Sequence, residues 1–321
     1  MRAAILLLLA LLIGAAPASA QQKPAKPPEE EKPILGVISI APTEPGNARY
    51  IRGLELAADK AGWQIVVIDA HGAADEANAA VQNLVEKGAK AIAITVFPVA
   101  SIGAGLALAE AAGVPVVTWG GGMARGVAAT NGSAGPLAAP VVEKMVADMG
   151  GKGEVLALSN KPSFACRARE AVLADVLSRH PGITLTRSEV NIPGYFEDAA
   201  TEAGKWLAAR PAGGAPLAIW SCWDDPAVGA VSALRRDGRT DVLVYGVGGN
   251  AQAIDAIRKG LMTATAWENT LAEGHAMFAV VLDILAAGRD WEPKVVEVPP
   301  VLVTLDDVET FLAEHPDATG R

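Results

Sequence analysis

The chain has little basic charge, few histidines and none of the common catalytic motifs. Its 36 Asp and Glu residues outnumber its 27 Lys and Arg residues, which gives a formal net charge of −9. Nucleic acids and anionic membranes bind basic protein surfaces, so the composition argues against both as partners. The four histidines are scattered without metal-ligand spacing, and the H-E-x-x-H, G-x-S-x-G and P-loop patterns are absent. We therefore predict a protein that is not an enzyme and that holds no metal or other cofactor.

Long hydrophobic runs are also lacking, except at the N-terminus. Met1–Ala20 has the three parts of a secretory signal, namely Arg2, the apolar run Ala3–Ile13 and the small residues Ala18–Ala20. That run is too short to span a bilayer, no other stretch is expected to be long enough, and no cysteine follows the cleavage point to carry a lipid. The polar, proline-rich segment Gln21–Pro33 predicts a disordered leader. We expect an exported mature chain without a transmembrane segment, which in a bacterium is periplasmic.

Cysteine is nearly absent, since Cys166 and Cys222 are the only two. An even number in an oxidising compartment allows a disulfide, although both thiols can also stay free and buried. Cys166 lies after the predicted strand Glu154–Ser159, and Cys222 lies after the predicted strand Leu217–Trp220. These two strands should be neighbours in a sheet. A disulfide beside their ends is therefore one of two open alternatives.

Strand-like and helix-like segments alternate along almost the whole chain after the leader. Two such series are separated by the small and turn-forming residues of Ala128–Gly135. The alternation predicts parallel sheets with helices on both faces, and continuous apolar runs such as Val114–Trp119 are typical of strands covered on both sides. The roughly 290 residues after the leader suffice for two domains. The sequence thus predicts an α/β protein of two similar units.

The stretch Leu217–Ala230 holds the densest group of polar and aromatic side chains at any predicted strand end. A short apolar strand runs into Ser221–Asp225 and then into a helix that begins near Pro226. Ligands of open α/β sheets bind where strands end and helices begin. Aromatic residues recur at such ends, namely Phe97, Trp119, Phe164, Tyr195, Phe196, Trp220, Trp223 and Trp267. Core packing accounts for any one of them, whereas the group predicts the aromatic wall of a cleft.

The segment Gly246–Ala251 fits the G-x-G-x-x-A pattern of dinucleotide-binding proteins. It follows a late strand rather than the first one, and an exported protein rarely encounters NAD. We interpret it as a tight turn rather than as a nucleotide site.

Several segments, taken in order and spacing, resemble the periplasmic sugar-binding proteins of the ribose/galactose type, the type I solute-binding proteins of ABC transporters. They are Gly53–Ala70, Ala111–Thr118, Ala165–Glu170, Trp223–Ala230 and Val242–Gly249. The resemblance implies two doubly wound parallel-sheet lobes joined by a three-crossover hinge, with the crossovers near Ala129–Gly132, Ala264–Trp267 and Asp290–Glu297. It also implies a monomer that closes on a small-molecule ligand, without catalysis, and that contacts an ABC transporter permease or a periplasmic sensor domain.

The resemblance also sets the expected domain boundaries. After the signal peptide at 1–20 and the leader at 21–33, residues 34–130 and 267–290 are expected in the N-terminal lobe. Residues 131–266 and 291–304 are expected in the C-terminal lobe, and 305–321 form a C-terminal helix and tail.

The binding positions that the resemblance implies depart from the family pattern. Aromatic residues after the first strand are replaced by Gly46 and Asn47, and an Asp-Arg pair after the fourth strand by two glycines that begin at Gly120. The second-lobe arginine is kept as Arg167, and an asparagine is replaced by Trp223. The full set of candidate ligand-binding residues is Thr43, Glu44, Asn47, Phe97, Trp119, Gly120, Phe164, Arg167, Tyr195, Trp223, Asp224, Gly248, Trp267 and Glu268.

These departures remove charged hydrogen-bond partners and add tryptophans. They predict a larger, flatter or less hydroxylated ligand than an aldopentose, such as an apolar cyclic or aromatic compound, with a modified sugar or cyclic polyol as the alternative. The function expected from the sequence is capture of this ligand for ABC-type import. A ligand-sensing subunit for a sensor kinase or chemoreceptor, and a secreted enzyme on the same scaffold, are the two alternatives.

Overall fold

The computed structural model describes residues 31–132 and 135–319. The predicted signal peptide, residues 21–30 of the predicted leader, and the last two residues of the predicted tail lie outside this part of the chain. From Lys32 onward the described chain forms one compact unit.

The described residues contain twelve strands and ten α-helices, in an order that alternates almost throughout. The strands are β1 (Ile34–Ser39), β2 (Gln64–Asp69), β3 (Ala91–Thr95), β4 (Val116–Trp119), β5 (Val127–Asn131), β6 (Gly153–Ser159), β7 (Ile183–Glu189), β8 (Leu217–Ser221), β9 (Val242–Gly248), β10 (Ala264–Trp267), β11 (Lys294–Val295) and β12 (Val301–Thr304). The helices are α1 (Pro45–Lys60), α2 (Ala74–Glu86), α3 (Gly103–Ala112), α4 (Ala139–Asp148), α5 (Phe164–Ser178), α6 (Tyr195–Ala208), α7 (Asp224–Arg236), α8 (Ala251–Arg258), α9 (Thr270–Ala287) and α10 (Val308–Glu314).

The first lobe is built on a parallel sheet with the strand order β11-β5-β4-β3-β1-β2. One face is covered by α1 and α9, and the other by α2 and α3, so an apolar core lies on each side. Helices α1 and α9 approach closely because each has a glycine at the contact. A Cβ atom on Gly53 would meet the Leu271 carbonyl oxygen, and one on Gly274 would meet that of Tyr50.

The second lobe is built on a sheet with the order β12-β10-β9-β8-β6-β7. Its strands are parallel except β12, which runs antiparallel to β10 at the edge. Helices α4 and α5 cover one face, and α6, α7, α8 and α10 cover the other. The expected fold of two doubly wound α/β lobes is confirmed, with this one antiparallel edge strand as a difference.

The chain passes between the sheets after β5, after β10 and between β11 and β12. Two expectations about these passages are corrected. The segment Ala128–Gly135 is not only a boundary, because it contains most of β5, whose small residue Ala129 is buried in the first core. The segment 291–304, expected in the second lobe, is divided, because Lys294 and Val295 pair with β5 of the first sheet.

The C-terminal helix and the long helix α9 both belong to lobe cores. In α10, Val308 and Phe311 pack into the core of the second lobe. The segment Thr270–Asp290 is long and apolar enough to cross a membrane by length and composition, contrary to the expectation that no such stretch follows the signal. In the fold, Met277 and Val281 on α9 pack against α1 and the first sheet, which accounts for the apolar composition.

Candidate ligand site between the lobes

The first-lobe wall of the site is the turn between β1 and α1. The Glu44 carboxylate caps α1, and its Oε2 accepts hydrogen bonds from the backbone N–H of Asn47 at 2.9 Å and from Asn47 Nδ2 at 3.0 Å. Asn47 is buried, and its Oδ1 also accepts a bond from Thr95 Oγ1 at 2.8 Å. Asn47 therefore holds the turn in place, whereas Thr43 and Glu44 are exposed.

On the second lobe, Asp224 begins α7 and is fully engaged within the protein. Its Oδ1 accepts a hydrogen bond from Thr265 Oγ1 at 2.7 Å, and its Oδ2 accepts one from the Asn250 N–H at 2.7 Å. Burial raises the pKa of Asp224 to about 6. A Cβ atom on Gly248 would lie 3.4 Å from Asp224 Oδ2. Asp224 thus ties three strand ends together, and the glycine that leaves room for its carboxylate is Gly246, where a Cβ atom would collide with Asp224 Oδ1.

The arginine that is buried beside Glu268 is Arg169, not Arg167. Arg167 is exposed and donates to the carbonyl oxygens of Lys161 and Pro162 at 2.5 and 2.9 Å, in its own loop. Arg169 is 5% exposed, donates from Nη1 to the Cys222 carbonyl oxygen at 2.7 Å, and has Nη2 3.7 Å from Glu268 Oε2. Residues two apart on a helix lie about 200° apart around its axis, so the two arginines leave α5 on nearly opposite sides.

Burial of Arg169 has a cost that its described partners do not fully offset. The low-dielectric surroundings lower the pKa of the guanidinium, while the charges of Glu268, Asp224 and Glu273 oppose that shift. Within residues 31–132 and 135–319, Arg169 Nε is buried and has no hydrogen-bond partner. A donor is therefore available at the carboxyl edge of the second sheet.

A pair of buried glutamates stands where the chain passes from β10 to α9. The Trp119 indole donates to Glu273 Oε2 at 2.7 Å, and Asn131 Nδ2 donates to the Glu273 carbonyl oxygen at 2.9 Å. Burial, reinforced by the neighbouring Glu268 carboxylate, raises the pKa of Glu273 well above its ordinary value. At neutral pH Glu273 therefore keeps its proton.

Cys166 and Cys222 are joined by a disulfide, with their Cα atoms 5.1 Å apart. The bond connects the first turn of α5 to the residue after β8, which are neighbouring elements because β6 and β8 pair. Since Arg169 also donates to the Cys222 carbonyl, the disulfide and this hydrogen bond hold the same junction.

The expected aromatic wall is not assembled. Trp267 is buried against Phe311, with ring centroids 5.1 Å apart, while Phe97 and Trp119 are buried within the first lobe. Side chains of a strand alternate between its two faces, so an aromatic residue at a strand end points into a helix layer rather than out of the sheet edge. Trp223 is only half-buried and meets Tyr195 edge-on at 5.7 Å.

Two concavities lie near these residues. A cavity of about 430 Å³ among the three interlobe passages is lined mostly by apolar groups, together with Glu268 and Glu273. Phe164 also lines it and approaches Gly122 of the opposite lobe. An open groove of about 620 Å³ lies on the second lobe, and Tyr195 is the one candidate residue in its lining.

The remaining candidate, Gly120, is buried and donates its N–H to the Asn131 carbonyl oxygen at 2.8 Å, which joins β4 to β5.

The sequence analysis did not include four residues among its candidates, namely Arg169, Glu273, Asn131 and Asp225. One signal was present for Arg169, because it shares the buried face of α5 with Cys166 and Leu173, at spacings of three and four residues.

Comparisons with known proteins agree with this architecture. The family model described as a periplasmic binding protein domain matches residues 35–290. A xylitol-binding protein of Mycolicibacterium smegmatis is 28% identical over 239 residues, which cover 73% of this chain and 66% of that protein. A ribose import binding protein, RbsB, of Bacillus subtilis is 27% identical over 243 residues, which cover 73% of this chain and 75% of that protein.

Solved structures share the fold. An ABC transporter solute-binding protein from Agrobacterium vitis with bound allitol has a TM-score of 0.77 at 22% identity, covering 88% of this chain and 99% of that one. An ABC sugar transporter subunit from Rhodobacter sphaeroides has a TM-score of 0.75 at 24% identity, covering 85% of this chain and 98% of that one. Because the family model matches more than half of the chain and includes strands and helices of both lobes, the chain belongs to the periplasmic binding protein domain family.

Proposed function

We propose that the protein is a periplasmic solute-binding protein that captures a small polyhydroxylated molecule, a sugar or a polyol, between its lobes and delivers it to an ABC-type importer. The observation that carries this proposal is the buried Arg169, whose Nε–H lacks a partner within the described residues. A buried donor without an acceptor costs about 1–3 kcal/mol, so a ligand oxygen at this position would recover that free energy.

The groups around Arg169 suit hydroxyls rather than a carboxylate ligand. A hydroxyl both donates and accepts a hydrogen bond, so a polyol needs donors and acceptors side by side. Arg169 donates beside the Glu268 carboxylate, and we propose that Glu44, in the turn after β1, and Asp225, in the first turn of α7, bring further carboxylate oxygens to the ligand. Carboxylates repel an anionic ligand and accept hydrogen bonds from hydroxyls.

The relatives support the same ligand class, since two of them are named for xylitol and ribose and the Agrobacterium vitis protein holds allitol. The larger apolar or aromatic ligand expected from the sequence lacks support, because Phe97, Trp119 and Trp267 are buried in the lobes. The residues that we propose for ligand contact are Glu44, Arg169, Tyr195, Trp223, Asp225 and Glu268. Asn47, Asp224 and Gly248 shape the walls, and Arg167 is replaced by Arg169.

The periplasmic location and the transporter permease as partner follow from family membership and belong to the same proposal. Both depend on export of the chain, which the predicted signal peptide provides.

Isothermal titration tests the proposed function. The purified protein, freed of carried ligand by reversible unfolding, is titrated with aldopentoses, pentitols, hexoses and cyclitols. At least one of these is expected to bind with micromolar or tighter affinity, about −8 kcal/mol or more favourable. Absence of binding across this panel would reject the proposal.

A further inference from the structure

An open groove on the second lobe lies beside the proposed site. Its lining includes Tyr195, Phe196, Glu197, Asp225 and Gln252, and its volume is about 620 Å³. One ring contact and one shared residue connect it to the proposed site. Tyr195 packs edge-on against Trp223, and Asp225, which we propose for ligand contact, also lines the groove. The groove therefore adjoins the proposed ligand contacts.

The walls of the groove are joined to one another by close packing and hydrogen bonds. Helices α6 and α7 meet at Gly229, where a Cβ atom would lie 2.6 Å from the Phe196 carbonyl oxygen. Asn250 Nδ2 donates to Asp225 Oδ1 at 2.9 Å, which joins α8 to α7. Asn191 Nδ2 donates to Asp198 Oδ2 at 2.7 Å and anchors the loop before α6. A ligand would find this surface already formed, so little free energy is spent on ordering it.

The lining has the chemistry that binds a neutral sugar ring. Phe196 is 37% exposed although it is a large apolar residue, and it offers a ring on which the C–H face of a sugar can stack. Within the described residues, the Glu197 carboxylate and the Gln252 amide are exposed and make no hydrogen bond, so both can serve hydroxyls. The lining contains no lysine or arginine that would select an anion.

We propose that this groove is a second subsite for a further sugar ring linked to the ring or polyol held between the lobes. The preferred ligand is then a disaccharide or a glycoside rather than a free monosaccharide. The subsite rests on the proposed function, because the first ring occupies the interlobe site. The groove volume lies within the range of about 300–1,000 Å³ that holds small-molecule ligands.

Titration with matched sugars tests the subsite. Xylose is compared with xylobiose, and glucose with cellobiose and maltose, on the wild-type protein. One disaccharide is expected to bind at least tenfold more tightly than its monosaccharide. Phe196→Ala and, separately, Gln252→Trp, which fills the groove from an exposed position, should remove that tenfold gain and leave monosaccharide affinity within about twofold.

Leu282→Ala is the matched control, because Leu282 is also 37% exposed but lies on α9 of the first lobe. It should change neither affinity, and thermal melts report whether each variant folds. Equal affinity for monosaccharide and disaccharide, or equal loss of both in Phe196→Ala, would overturn the subsite while the proposed function stands. Absence of binding by every sugar and polyol overturns the proposed function and the subsite together.

Discussion

At the scale of the residue, Arg169 joins the chemistry of the site to its architecture. It is buried, it donates to the end of β8, it faces Glu268, and one of its donors has no partner within the described residues. Arg167, two residues earlier, has the same side chain but satisfies carbonyl groups of its own loop. Burial and direction, rather than residue type, separate the arginine that we propose for ligand binding from the one that holds its own loop.

Replacing Arg169 should therefore weaken ligand binding strongly. Arg169→Gln is expected to lower sugar affinity by about 10- to 100-fold, because hydrogen bonds to a charged group contribute about 1.5–3 kcal/mol. Arg169→Lys should recover only part of this, since an ammonium lacks the planar fork of donors. Titration calorimetry measures both, and Arg167→Gln is the control that should stay near wild type. A larger loss of affinity in Arg167→Gln than in Arg169→Gln would contradict the assignment of Arg169 to the site.

Glu273 provides a test based on pH. Its pKa is raised above the ordinary value of 4.5 in the folded protein, so the native state keeps a proton that the unfolded chain releases as the pH rises through that value. Its contribution to stability is present below pH 4.5 and falls as the pH rises toward the folded pKa. Glu273→Gln cannot titrate and can still accept the Trp119 hydrogen bond.

The Tm of Glu273→Gln should accordingly match that of wild type near pH 4 and exceed it by about 2–5 °C near pH 9, measured by differential scanning fluorimetry. Glu143→Gln, on the exposed face of α4, is the control and should follow the wild-type curve. A Tm difference for Glu273→Gln that is the same at both pH values would show that folding does not raise the pKa of Glu273.

At the scale of the element, the disulfide holds the first turn of α5 against the end of β8, where Arg169 makes its contact. Cys166→Ser with Cys222→Ser should lower the free energy of unfolding by about 2–4 kcal/mol, the usual effect of a lost native disulfide. We also expect weaker sugar binding in this double variant at temperatures where it is still folded, because the α5 turn is less restrained. Chemical denaturation and calorimetry report the two effects. Unchanged affinity would show that packing alone positions Arg169.

Most elements follow from local hydrophobic periodicity, which is why the order of strands and helices could be predicted. The strand β5 could not, because Ala129 is small and resembles a turn residue until the first core is seen around it. The site residues were harder to predict than the fold. Trp267 and Arg167 stand at suitable positions along the chain, but Trp267 packs against Phe311 and Arg167 donates to its own loop. Side-chain direction depends on tertiary packing, which a periodic pattern does not contain.

At the scale of the whole molecule, two sheets, each built mainly of parallel strands, are linked by three passages of the chain. Glu44 lies on the first lobe, Asp225 on the second and Glu268 in a passage, and we propose that all three face the ligand. Closure of the lobes on a ligand would satisfy donors and acceptors from both sides at once. This arrangement explains how a protein without catalytic motifs can recognise a small solute.

The most direct test is a crystal structure of the protein with the sugar or polyol that binds most tightly in calorimetry. We predict a ligand hydroxyl within about 3 Å of Arg169 Nε, with Glu44 and Asp225 on opposite sides of the ligand. A ligand bound only in the cavity among the passages, with Arg169 Nε still lacking a ligand oxygen, would contradict the assignment of the site.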